Sequence, residues 1–136
     1  MQPRDALEKL GGIGSRSELL LLGCWDDVVD LALYYGRIHR VRRGWYALPE
    51  APEDAVRAFR VGGRLACVSA LAHHADSVTP PAEPIHVQVE RGSSRLRLPS
   101  ESVVVLHWSR RQLEGTRLAV SAAVAHRQAE VCRALA

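Results

Sequence analysis

The stretch GRIHRVRRGWYALP, from Gly36 to Pro49, holds four arginines, one histidine and no acid. Guanidinium groups gathered on so short a segment suit phosphate recognition, because each offers a planar fork of N–H donors and a permanent charge. Arg37, His39, Arg40, Arg42 and Arg43 are therefore candidate ligands of a DNA backbone. Arg42 and Arg43, at the tip of a turn, could sit over a phosphate or enter a minor groove. Arg16 stands beside Ser15 at a helix start, where backbone N–H groups would help to hold a phosphate. The competing reading is a solvated turn in an arginine-rich chain. Lys9 is the only lysine, and a GC-rich coding bias would load any loop with arginine.

Three acids argue in the other direction. Asp26, Asp27 and Asp30 fall within five residues on the helix that would read a groove. Carboxylates facing phosphates are costly. An aspartate can accept from a cytosine amino group, but three together are many for that role. Asp26 and Asp27 also suit the first turn of a helix, where they favour its dipole. These acids make base reading doubtful and are candidate contacts for a protein partner.

Metal and nucleophile chemistry find less support. The motif HHAD supplies His73, His74 and Asp76, and His86, His107 and Cys67 could converge from elsewhere. Neighbouring histidines on a helix point about 100° apart. No zinc-finger or HExxH spacing is present. No metal site, no cofactor and no catalytic residue is expected. His86 and His107 read as strand residues on a half-exposed sheet. Ser69 with His73 or His74 lacks the spacing of a nucleophile and its base, and the scattered acids do not make a nuclease centre.

The elements that must carry these residues can be drawn from the pattern. Helices are expected over Pro3–Leu10, over Ser15 to Gly23 with Ser15 and Glu18 as a capping box, and over Trp25–Tyr35. Val28, Leu31, Ala32 and Tyr35 share one face of the third helix and are expected to be buried. A hairpin follows, from Arg37 to Val41 and Trp45 to Leu48, turning at Arg42-Arg43-Gly44. Trp45 and Tyr46 read as its core anchors. Three short helices and a hairpin give the order of a winged helix-turn-helix domain, residues 1–49.

The motif PEAPEDA marks a boundary, and residues 50–136 read as a small α+β domain for partner binding or regulation. Its expected parts are a helix from Pro52 to Gly62-Gly63 and a helix capped by Ser69 that runs to His74. A loop at TPPAEP comes next, then a strand with Ile85, Val87 and Val89 buried on one face. After a turn at RGSS come strands at Arg95–Leu98 and Val103–Trp108, and a last helix from about Ser121. The fold class is α+β.

The composition sets bounds. At 136 residues with 47% apolar content, the chain can build one ordinary domain or two small ones. A formal charge of +3 permits nucleic-acid binding without demanding it. Three widely spaced cysteines, Cys24, Cys67 and Cys132, suit a reduced, cytoplasmic protein. No signal-peptide core is seen at the start, and the longest apolar run, Leu19–Leu22, cannot span a bilayer.

The segments LEKLGGIGSRSELLLLG, LALYYGRIHRVRRGWYALPEAPED and GGRLACVSALAHH resemble the AbiEi-type antitoxin family. The hairpin, Gly36 to Leu48, carries the most specific part of the likeness, which is good over residues 5–75 and weaker over 85–136. The resemblance implies an N-terminal winged helix bound to double-stranded operator DNA. It also implies a second domain for regulation or for neutralising a nucleotidyltransferase-like toxin. Some relatives continue into a C-terminal nuclease similar to very-short-patch-repair endonucleases, and this chain is expected to end before that part. The acids at Asp26, Asp27 and Asp30 depart from the family's usual basic or neutral residues. The leading expectation is a non-enzymatic DNA-binding regulator. The alternatives are a protein-interaction module with vestigial DNA binding, and the recognition half of a nuclease.

Overall fold

The computed structural model describes residues 1–75, 83–90, 96–99 and 103–135. The chain is mixed α+β, and its contacts divide into two compact units, Met1–Val56 and Arg57–Ala136.

The first unit begins with α1 (Pro3–Lys9). Pro3 sits in its first turn, where the absent N–H leaves no bond unmade. A short strand that the sequence did not announce follows, β1 (Ile13–Ser15). Ser15 then caps α2 (Arg16–Leu21) as the motif requires. Its hydroxyl accepts from the Glu18 N–H at 3.2 Å, and its own N–H donates to Glu18 Oε1 at 2.9 Å. α3 (Asp26–Tyr34) comes after a four-residue link that includes Gly23. The hairpin is β2 (His39–Arg42) and β3 (Trp45–Ala47), joined through Arg43 and Gly44. Gly44 takes φ +79°, which the tight turn needs and which a side chain would oppose. The sheet order is β1-β3-β2, so β3 is central and β2 lies at an edge.

The buried stripe of α3 differs from the expected one. Val29 and Ala32 are buried and Leu33 packs partly against the core, whereas Leu31 and Tyr35 are exposed. The helix is turned by about one residue step from the sequence-based reading. Apolar residues at 28, 29, 31, 32 and 33 allow either stripe. The side that carries Asp26 and Asp30 is held by Arg16, and this fixes the choice. The core gathers Ala6, Leu7, Leu19, Val29, Ile38, Tyr46 and Leu48.

The contact division falls within α4 (Glu53–Val61). Beyond it the second unit holds β4 (Arg64–Leu65), α5 (Cys67–His74), β5 (Ile85–Val89), β6 (Val104–Trp108) and α6 (Ala122–Leu135). β5 is central, antiparallel to β4 and parallel to β6. Leu65 also bonds the segment around Ala119 on its other side, through Leu118 O and the Val120 N–H. Gly63 makes the approach to β5 possible: a Cβ there would lie 2.0 Å from the Gln88 carbonyl oxygen.

Three expectations need correction here. Ser69 does not cap α5; the helix begins two residues earlier behind Ala66, and the Ser69 hydroxyl accepts from the His86 N–H at 2.9 Å. Residues 96–98 form no strand, and Arg97 instead donates its N–H to the Val61 carbonyl. β5 is not apolar on one face and open on the other. Ile85, Val87 and Val89 are buried, but Gln88 on the opposite face is fully buried too, so a central strand is covered on both sides. The RGSS turn, Arg95 and most of TPPAEP lie outside the described residues.

Candidate functional site

The hairpin presents its cations outward. Arg37, His39, Arg40 and Arg43 are exposed, and Arg42 is half-buried. Inward, Ile38, Val41, Tyr46 and Ala47 are buried. The ladder explains how so many charges reach the surface of one short strand. Arg40 pairs with Tyr46 and Arg42 with Trp45, so Val41 is an extra residue at a bulge. The bulge lets Val41 enter the core while the arginines on either side stay at the rim. Trp45 is half-buried and Tyr46 buried.

Arg16 has a different environment. Its Nη1 is paired with the Asp26 carboxylate, and its Nη2 donates to Asp30 Oδ1 at 2.6 Å. Its Nε donates to the Tyr46 hydroxyl at 3.2 Å, and the guanidinium carbon lies 5.5 Å from that ring's centre. The hydrogen bond it donates to Asp30, then the one it donates to Tyr46, raises the guanidinium pKa above its ordinary value. One side chain thus ties α2, α3 and β3 together. It is a clamp within the fold and is not held out toward a ligand.

This clamp changes the meaning of the acids. Asp26 and Asp30, one helical turn apart, share the single Arg16 charge. Among the described residues, Asp27 has no ion-pair partner within 4.0 Å. The outer side of α3 therefore carries one unpaired carboxylate, not three. Leu31 and Tyr34 follow Asp27 at i+4 and i+7 on α3 and are exposed, as are Trp25, Tyr35 and Leu21 elsewhere on the unit.

No family model matches the chain, and no curated protein matches it.

The histidines gather differently from the expectation. His73 and His74 pack edge to face on α5, and His74 Nε2 lies 2.7 Å from the Val120 carbonyl oxygen. Asp76 is outside the described residues. His86 and His107 do stand on strands, but they meet each other, with Nδ1 of His86 3.0 Å from Nε2 of His107. Cys132 Sγ lies 3.6 Å from the same His107 nitrogen, and Cys67 completes the group. One ligand-type atom from each of the four lies within 4.8 Å of the others. Sequence reasoning named His86, His107 and Cys67 as able to converge but expected no metal site, and it did not count Cys132 among the ligands. The one legible signal was phase: His86 alternates with Ile85 and Val87, so it points away from the apolar face of its strand.

No described helix is long and apolar enough to cross a membrane.

Proposed function

We propose that the chain is a non-enzymatic, cytoplasmic DNA-binding regulator, with residues 1–49 acting as a winged helix-turn-helix and the hairpin as its wing. The observation that carries this reading is the outward, acid-free row of Arg37, His39, Arg40 and Arg43 along the bulged edge strand of the hairpin and its turns. Supporting it, α2 and α3 are joined by a short link, and Arg16 offsets one of the two charges of Asp26 and Asp30. Phosphate contacts from the hairpin would supply affinity, with α3 contributing little base reading. In the AbiEi-type setting that the sequence resembles, the second domain, residues 50–136, would bind a nucleotidyltransferase-like toxin.

The test is a fluorescence-anisotropy titration of the chain against duplex from its own upstream region at several salt concentrations. Four to five phosphate contacts give a slope of log affinity on log salt of about −4. Each arginine removed should reduce that slope by about 1. A salt-insensitive titration, or one unchanged in the Arg37→Ala/Arg40→Ala/Arg43→Ala variant, sinks the wing mechanism.

A second reading, a protein-interaction module, has its own support in the exposed Leu31 and Tyr34 beside Asp27 on α3. Adjoining apolar side chains left in water mark contact surfaces. Here Asp27→Lys and Tyr34→Ala should abolish capture of a protein partner from native cells and leave salt-sensitive DNA binding intact.

A further inference from the structure

The second unit contains a constellation that the DNA-binding reading does not use. Cys67 opens α5, His86 is on β5, His107 is on β6 and Cys132 lies in the last turns of α6. The parallel register places His107 opposite Gln88, two residues from His86 on the same face. That face meets α5 and α6, so four elements deliver one side chain each to a common point.

We propose that Cys67, His86, His107 and Cys132 form a closed four-coordinate site for one zinc ion that cross-links these elements.

The geometry is near that of a loaded site. Zinc–sulfur bonds of about 2.3 Å and zinc–nitrogen bonds of about 2.0–2.1 Å make a tetrahedron with edges of about 3.3–3.8 Å. The His86–His107 and His107–Cys132 separations are 3.0 and 3.6 Å, and no ligand atom is more than 4.8 Å from another. Sub-ångström shifts would therefore admit the ion. Two thiols with two imidazoles make a borderline-soft donor set, which selects zinc over magnesium or calcium. With all four positions supplied by the chain, none is left for a substrate, and the site is structural.

The surroundings are built to hold these ligands. The Cys67 N–H donates to Gln128 Oε1 at 2.9 Å, and Gln128 Nε2 donates to the fully buried Gln88 Oε1 at 2.6 Å. Ser69 takes the His86 N–H. Such outer partners orient metal ligands. Cys67 itself sits at φ +53°, the only non-glycine with positive φ among the described residues. Glycine would take that conformation without strain. A cysteine there implies that the thiol is needed where the backbone would favour no side chain at all.

The rival uses of these groups fit less well. A Cys67–Cys132 disulfide would leave two imidazoles facing each other at 3.0 Å with no task. A nucleophilic cysteine needs an accessible thiolate, whereas Cys67 is fully buried. Zinc binding replaces two thiol protons, so two protons leave for each ion taken up and no electron moves.

The full chain, expressed with zinc and purified under reducing conditions without chelator, should hold one zinc per chain by elemental analysis. Cys67→Ser, Cys132→Ser and His107→Ala should each reduce this to a trace, while His73→Ala/His74→Ala keeps the full equivalent. Gln128→Ala should weaken zinc binding about 10–100-fold. Cobalt(II) added to the reduced, metal-free wild type should give intense visible bands of four-coordinate cobalt and a thiolate charge-transfer band. That readout needs no variant to fold. A pale, six-coordinate cobalt spectrum, zinc well below one equivalent in the reduced wild type, or full zinc in Cys132→Ser overturns the proposal. So does a metal-free chain carrying a Cys67–Cys132 disulfide.

Discussion

The two units place their reactive side chains in opposite ways. In Met1–Val56 the cations are neighbours in sequence, borne on one hairpin and exposed, and the core lies behind them. In Arg57–Ala136, Cys67, His86, His107 and Cys132 are far apart in sequence and converge from four elements, and the two cysteines are part of the packing around Ala66 and Ala129. The difference teaches where loss of a residue should be felt. On the hairpin, the proposed DNA binding and stability are separable. In the second unit they are not, because the groups that converge also hold the sheet against its helices.

Leu19→Ala should give the largest effect, because Leu19 is fully buried at the centre of the first core. A loss of about 2–5 kcal/mol is expected in denaturant unfolding, together with loss of DNA binding. Retained binding at full stability would break the picture of a core that holds the hairpin up. Gly63→Ala comes next. Its Cβ must displace the Gln88 backbone, so a cost of about 1–3 kcal/mol is expected. Zinc content should fall with stability, which sharpens the claim that site and packing coincide in the second unit.

Ser15→Ala should cost about 1 kcal/mol by removing the cap of α2, read as a shift in the urea midpoint. Arg40→Ala/Arg43→Ala should move stability by no more than about 0.5 kcal/mol while lowering the salt slope of DNA binding. A large destabilisation there would erase the contrast between the units.

The smallest effect is a pH dependence. Arg4 holds the Glu50 carboxyl below its ordinary value of 4.5, chiefly by hydrogen bonding. The unfolded chain then binds the proton more readily than the folded one, so this stabilisation is present above 4.5 and fades as pH falls through the lowered value. Both partners are exposed at the surface, so Glu50→Gln should flatten the acid side of the melting curve only slightly.

Much of the first unit was legible in the sequence because its signals are local. The Ser15–Glu18 box, the glycine at the turn and the arginine run each act over a few residues. The stripe of α3 was misjudged because its apolar residues allow two faces, and the deciding contact comes from Arg16, ten residues upstream of Asp26. The short strands β1 and β4 have too few residues for alternation to show. In the second unit, Gln88 reads as surface by type, and only the helices over it make it core. The convergence of Cys67 with Cys132 depends on packing between α5 and α6, for which no spacing rule exists.

The parallel register of β5 and β6 has one further consequence. Side chains on a strand alternate, so sliding β6 by a single residue would send His107 to the far face and bring Leu106 or Trp108 beneath the helices instead. Hydrophobic contacts would tolerate such a slip, since Val104, Val105 and Leu106 are nearly interchangeable in greasiness. The imidazole is not. A four-ligand site at this place would accept only the correctly aligned sheet, and so would act as a proofreader of strand pairing where the apolar residues alone distinguish poorly between right and wrong.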